Sequence, residues 1–275
     1  MKKITTSPAG VVKQQISSDP YSLARYYPCE KSKTWVDIFW CVEWCLPKAQ
    51  IFTQTNLPDP YFHLVFDSGN VSLVAPVLNQ YSYTMQGRGH IFGVKFNVGL
   101  IPSLLGLRAK DLVDKTYDVQ ALRRWEVFAG IDEINQQISA VNGHHEKQTT
   151  LFKEWFCYFF PERSNTDIQR AQTLLEIVKS EKHINSVSVL SEYSGIGVRT
   201  IQRLFDDYVG VQPKWFIRKQ RMHNALADIE KSNGSMTAMA LDLGFSDQAH
   251  FSREFKYFIG VTPCEYRIKF RVNRP

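Results

Sequence analysis

The chain has 275 residues, 44% hydrophobic and 13% aromatic, with 33 Lys+Arg against 27 Asp+Glu and a net charge of +6. That length supports two ordinary domains, and that composition excludes a disordered or collagen-like chain. The positive surplus admits a polyanionic partner without requiring one: residues 165–275 carry 16 basic against 12 acidic side chains, and residues 1–164 carry 17 against 15.

Residues 1–20, MKKITTSPAGVVKQQISSDP, begin basic but lack the apolar run of an export signal. No stretch approaches the roughly 18 apolar residues of a membrane span, so a cytoplasmic protein without a membrane partner is expected. The cysteines Cys29, Cys41, Cys45, Cys157 and Cys264 are odd in number and irregularly spaced, which reads as reduced thiols.

In chain order, Val36 to Trp44 alternates, with Val36, Ile38, Trp40, Val42 and Trp44 on one face and Asp37, Cys41 and Glu43 on the other. Period two predicts a half-buried strand. Tyr61 to Phe66 is a second apolar run, closed by the turn residues Asp67-Ser68-Gly69-Asn70, with Val71 to Val77 returning beside it. Ile91 to Phe96 reads as another strand, a helix-like stretch follows Pro102, and Trp125 to Phe160 is helical with a break at Asn142-Gly143. Residues 1–160 are therefore expected to form a β-rich, barrel-like domain with flanking helices. Residues 161–165 hold a helix breaker and polar side chains and mark a linker, after which Thr166 or Asp167 can cap a new helix. From 166 to 275 every pattern is helical, so the chain as a whole is α+β.

The helical part contains an internal repeat at an offset of 50 residues. Arg203 matches Arg253, Phe205 matches Phe255, Gly210 matches Gly260, Val211 matches Val261 and Pro213 matches Pro263. Each copy has the anatomy of a helix-turn-helix. In the second, Met236 to Leu243 forms a short helix with Ala240 inward. Gly244 makes the turn, Phe245 plugs the core, and Ser246 or Asp247 caps a helix from Gln248 to Phe258 that buries Phe251, Phe255 and Phe258. In the first, Val187 to Tyr193 and the turn Ser194-Gly195-Ile196-Gly197 precede a helix from Val198 to Val209, with Ile201, Leu204, Phe205 and Tyr208 inward and Asp206 outward. The outer faces offer Arg199, Gln202 and Arg203, and Gln248, Ala249 and Arg253. Arginine forks match guanine, glutamine amides match adenine, and alanine fits against a thymine methyl. A helix from Pro213 to Ser232 would span about 30 Å and could set the two outer faces into major grooves about 34 Å apart.

Gly244-Phe245-Ser246-Asp247-Gln248-Ala249-His250-Phe251-Ser252-Arg253-Glu254-Phe255-Lys256, followed by Gly260-Val261-Thr262-Pro263 and Tyr266-Arg267, resembles the signature of the AraC/XylS family of bacterial transcription regulators. Arg199 to Phe205 with Gly210 and Pro213 resembles that family's first unit. The resemblance covers residues 166–272 and implies seven helices, two of them in the major groove of double-stranded DNA. It places base contacts on Arg199, Gln202, Arg203, Gln248, Ala249 and Arg253, and phosphate contacts on His250, Ser252 and Lys256. Gly197 departs from the family, which commonly has a capping Ser there.

The family further implies an N-terminal domain that senses a small-molecule effector or makes a homodimer, with RNA polymerase as the downstream partner. Val36 to Trp44, Leu57-Pro58-Asp59 and Gly87 to Phe96 resemble an N-terminal domain found in such regulators. Trp40, Trp44, Tyr61, Phe62, Phe92 and Phe96 are candidates to line an apolar effector pocket, with ordinary core as the other reading. No catalytic constellation, metal set or cofactor motif stands out. His63 and His90 are isolated in the sequence, Cys41-x3-Cys45 lacks zinc-ribbon spacing, and His144-His145 lies beside Asn142-Gly143 in what reads as an exposed loop. A non-enzymatic, cofactor-free, nucleoid-associated regulator is what the resemblance implies. The alternatives are a pure dimerisation scaffold or a catalytic domain targeted by the helical module.

Overall fold

The computed structural model describes residue 3 and residues 20–159, 165–231 and 234–272. Apart from Asn165, the expected linker lies outside the described residues, as does the expected end of the long helix at Ser232. Among the described residues the N-terminal half holds eight strands: β1 (Tyr21–Tyr26), β2 (Val36–Cys45), β3 (Ile51–Asn56), β4 (His63–Asp67), β5 (Asn70–Val74), β6 (Tyr81–Gln86), β7 (Arg88–Phe96) and β8 (Thr116–Asp118). They form an antiparallel sheet in the order β1-β2-β7-β4-β5-β8 and a separate β3-β6 pair. The β4–β5 hairpin turns where Asp67 to Asn70 predicts it. Ser68 and Gly69 both take positive φ, 50° and 87°, the two-residue turn whose twist suits a hairpin.

Strand β2 is buried differently from the expectation of one wet face. Phe39 and Cys41 pack with Phe66, Phe92 and Phe96 under the aromatic side chains Phe128, Phe152 and Phe156. Trp40, Val42 and Trp44 pack on the opposite face, with Phe52, Tyr83 and Met85 of the β3-β6 pair. The alternation is real, but a central strand covered on both faces gives each parity its own core. A register shift between Val36 and Ile38 also breaks the single phase assumed from the sequence.

Helices α1 (Leu100–Leu105), α2 (Val119–Leu122), α3 (Ile131–Ala140) and α4 (His145–Phe156) complete this half. The helical half comprises α5 (Thr166–Ser180), α6 (Val187–Ser194), α7 (Val198–Leu204), α8 (Pro213–Lys231), α9 (Met236–Asp242), α10 (Gln248–Ile259) and α11 (Pro263–Val272). Asn165, rather than Thr166 or Asp167, caps α5: its Oδ1 accepts the Ile168 amide at 2.8 Å. Asp167, one turn inside the helix, keeps its carboxylate for other partners.

The two halves share apolar cores. Leu57, Tyr61 and Val98 belong to the cluster built by α5 to α11, and Ile168 belongs to the core beneath the sheet. The Gly99 amide donates to Tyr208 O at 3.2 Å, and Lys110 Nζ pairs with Asp206 at 2.8 Å. Asp206, read as an outward group, is therefore half-buried at this seam.

Candidate nucleic-acid interface

The repeat seen in the sequence is a repeat in three dimensions. Ser186 caps α6 and Ser235 caps α9, each through its side chain. Left-handed Gly195 and Gly244, at φ 68° and 76°, make the turns between the helices. Ile201, Leu204 and Phe205 are buried in the first unit, and Phe251, Phe255 and Phe258 in the second. The units end on Gly210 (φ 90°, ψ −16°) and Gly260 (φ 88°, ψ −16°), so the same backbone geometry recurs 50 residues apart. Only glycine adopts such angles cheaply. One local difference separates the units. Helix α10 follows α-helical geometry to Ile259, whereas α7 widens after Leu204 into a five-residue turn closed by Gly210 N donating to Phe205 O at 2.8 Å.

The caps differ too. Asp247 Oδ1 accepts the His250 amide at 2.7 Å and so starts α10, the second of the two residues the sequence offered for that role. Gly197 starts α7 with no side-chain cap, as its lack of a hydroxyl requires. Helix α10 is clamped onto α8 by Arg218, whose Nε and Nη2 donate to Glu254 at 2.5 and 2.7 Å. Arg221 donates to Leu243 O at 2.8 Å while its guanidinium lies 3.7 Å from the Phe245 ring centre, which fixes the second turn. Helix α8 runs 19 residues, about 28 Å at 1.5 Å per residue.

Of the sequence-derived candidates, Arg199, Gln202, Arg203, Gln248, Ala249, Arg253 and Lys256 are exposed, and His250 and Ser252 are half-buried. Their commitments within the chain differ. Gln248 Oε1 accepts from Thr237 at 2.8 Å, and His250 Nδ1 lies 3.4 Å from the Ser246 hydroxyl. Arg203 Nη2 donates to Asp167 at 2.9 Å, and its Nη1 is 3.5 Å from Asp207. That bond holds the Asp167 carboxyl below its usual range. No hydrogen bond or ion pair ties Arg253 to another described residue. The two arginines that match in sequence thus differ in availability, which only the packing of α5 against α7 could reveal.

The six aromatic candidates for an effector pocket do not line one surface. Trp44 and Trp40 belong to the cluster beneath the β3-β6 pair, Tyr61 to the helical core, and Phe62, Phe92 and Phe96 to the core under α3 and α4. The alternation of β2 and β7 sends neighbours to opposite faces. Trp40 and Trp44 lie directly over their cross-strand partners Gly93 and Gly89, where a Cβ would fall 2.1 and 1.9 Å from the indoles. These tryptophans fill the space that glycine leaves in the sheet.

A polar junction that sequence reading missed joins the halves. His63 Nε2 is 2.9 Å from Asp59 and its Nδ1 accepts from Trp40 at 3.3 Å, so His63 is not isolated. Lys95 lies 3.3 Å from Asp37, 3.5 Å from Asp59 and 3.9 Å from the Tyr61 ring centre. Burial opposes ionisation of Asp59, but Lys95 and His63 outweigh it and hold the carboxyl well below its usual range. From α8, burial pushes Lys219 down to about 8 and His223 down to about 3, with neighbouring lysines adding to the shift.

One group of metal-ligating side chains occurs among the described residues: Cys41, His90 and His145. This corrects the reading of His90 as isolated and of His145 as part of an exposed loop. His144 is exposed, but His145 begins α4 and turns inward. Residues far apart in the chain meet here because β2 pairs with β7 beneath the start of α4.

A helix-turn-helix domain family matches residues 190–269, and a domain of unknown function, DUF6597, matches residues 24–118. YkgA of Escherichia coli strain K12, named as an HTH-type transcriptional regulator, is 38% identical over 97 residues, covering 35% of this chain and 41% of that protein. An HTH-type transcriptional regulator of Haemophilus influenzae is 28% identical over 94 residues, 34% of this chain and 32% of that one. The chain thus spans less than half the length of these relatives. Among solved structures, ToxT from Vibrio cholerae O395 covers 91% of this chain and 98% of its own at 12% identity, TM-score 0.40. A Chromobacterium violaceum regulator with an AraC-type DNA-binding domain covers 38% and 96% at 25% identity, TM-score 0.35. The C-terminal part of this chain is a helix-turn-helix domain of the AraC type, preceded by a domain of the DUF6597 family.

Proposed function

We propose that this protein is a sequence-specific DNA-binding transcription regulator and not an enzyme. Its two recognition helices, residues 198–209 and 248–259, enter successive major grooves of one promoter. The observation that carries this reading is the duplicated unit: two helices end on glycines of matching φ and ψ and carry Arg203 and Arg253 at the same phase. Two merely solvated faces need not agree in this way. Base reading is assigned to Arg199, Gln202, Arg203, Gln248, Ala249 and Arg253, and phosphate contact to His250, Ser252 and Lys256.

In this reading residues 1–160 form the signal-receiving or dimerising part and residues 166–275 the DNA-binding part, acting in the cytoplasm on recruitment of RNA polymerase. The polar junction of Asp59, Lys95 and Lys219 supports communication between them, since it draws its charges from both halves. Footprinting of the protein on fragments selected from genomic DNA tests the proposal. Two protected major-groove tracts on one face, about 10 base pairs apart, are expected. Uniform protection without sequence preference would refute it.

A further inference from the structure

We propose that Cys41, His90 and His145, with Glu43 completing the set, form a binding site for a borderline-soft divalent transition metal such as Zn2+. The proposal concerns the N-terminal half and stands apart from the DNA-binding reading.

The site follows from sheet parity. Glu43 and His90 are cross-strand partners, and Cys41 stands two residues before Glu43, so all three project from the face that α4 covers. Helix α4 begins at His145 and sets its imidazole over them, with ring centres of His90 and His145 6.1 Å apart. One ligand atom from each of Cys41, His90 and His145 lies within 4.8 Å of the others. A tetrahedral zinc with bonds of about 2.0–2.3 Å needs donors about 3.3–3.6 Å apart, so drawing these three together asks for a shift of up to about 1.5 Å.

Three further observations point to a ligand. First, the orphan atom: His90 is 8% exposed, yet its Nε2 has no hydrogen-bond partner among the described residues. A buried ring nitrogen is ordinarily bonded, and leaving one unmade costs free energy. Second, convergence: Glu43 Oε1 lies 3.1 Å from His145 Nε2 and 3.8 Å from His90 Nε2, so both nitrogens face one point. Third, the orienting contact: the Tyr26 hydroxyl meets His145 Nδ1 at 2.7 Å, which leaves Nε2 for the metal and holds the ring in place.

The donor set selects the ion. A thiolate and two imidazoles suit zinc, cobalt or copper and reject calcium and magnesium, which take oxygen donors. Charge also closes: on binding, Cys41 gives up its proton to solvent, and its thiolate with the Glu43 carboxylate neutralises a dication. The Glu43 side chain is 39% exposed and gives the ion a way in.

The test uses the 275-residue chain stripped with a chelator and titrated with Co2+ and then Zn2+. One equivalent of cobalt should give the visible bands of a tetrahedral site and a near-ultraviolet thiolate charge-transfer band, both erased by zinc. Zinc should raise the unfolding temperature. Cys41→Ser should abolish the charge-transfer band, and His145→Gln should weaken affinity by more than about tenfold. His145→Gln lies at the rim of the cluster and keeps the test open if Cys41→Ser fails to fold. Cys45→Ser, on the exposed end of β2, should leave binding unchanged. The proposal is overturned if folded wild-type protein shows neither tetrahedral cobalt bands nor a zinc-dependent rise in unfolding temperature. It is equally overturned if the variants of Cys41 and His145 bind as tightly as wild type.

Discussion

Replacing Asp167 by alanine should tighten DNA binding at the base pair assigned to Arg203. In the free protein Arg203 donates to Asp167 at 2.9 Å and lies 3.5 Å from Asp207, so its guanidinium must leave at least one carboxylate to reach a base. The Asp167 pair has side-chain exposures of 51% and 27%, and ion pairs this open contribute about 0–1 kcal/mol. A bidentate contact to guanine contributes about 1–3 kcal/mol, so the base wins, but its net return is reduced by the pair it breaks. Asp167→Ala removes that cost and should lower the dissociation constant by up to about fivefold. Arg203→Ala should lose correspondingly less than Arg253→Ala, because no hydrogen bond or ion pair with another described residue holds Arg253. Fluorescence anisotropy on an operator duplex and on base-substituted duplexes, at one salt concentration, measures all three. A general electrostatic gain from removing Asp167 would tighten every duplex alike. In the double variant with Arg203→Ala the sequence-dependent part of the gain should vanish. If Arg203→Ala binds every duplex like wild type while Arg253→Ala loses about 1–3 kcal/mol, Arg203 serves only to clamp α7 to α5 and the assignment fails.

Lys256→Ala should weaken binding evenly across sequences and reduce the slope of log K against log salt by about one; an unchanged slope removes Lys256 from the phosphate contacts. Gly210→Ala should destabilise the fold by about 1–3 kcal/mol, because φ is 90° and the new Cβ would stand 3.0 Å from the Ala109 carbonyl oxygen. Gly195→Ala, where no atom of the described residues lies within 4 Å of the new Cβ, should cost no more than its left-handed backbone does, about 1–2 kcal/mol; equal losses in thermal unfolding would contradict the close contact at Gly210. Stability should rise between about pH 8 and 9, since the folded state has released the Lys219 proton that the unfolded chain still holds. His223 finishes its own contribution below neutral pH, and the raised Cys41 thiol begins to oppose the trend near pH 9. Lys219→Met should flatten the rise in denaturant midpoints; an undiminished slope would move its origin elsewhere.

The helical half was legible in the sequence because its determinants are local. Turn glycines, capping side chains and an apolar period of three to four act within a few residues of each other, and duplication let each unit check the other. Helices 187–194 and 236–242, the inward phenylalanines and the outward polar faces all follow from such short-range rules. What resisted was whatever depended on one segment covering another. Residue alternation in β2 marks two faces but cannot say that both are roofed, so Phe39 and Cys41 proved as buried as Val36. The aromatic side chains Trp40, Tyr61 and Phe92 look alike in a list, and only strand pairing assigns them to three different cores. The pairing of Arg203 with Asp167 and the meeting of His90 with His145 join residues 36 and 55 positions apart. Such contacts are set by the path of the chain through space, and a burial or pairing energy that depends on a distant neighbour leaves no periodic trace in the neighbourhood where it acts.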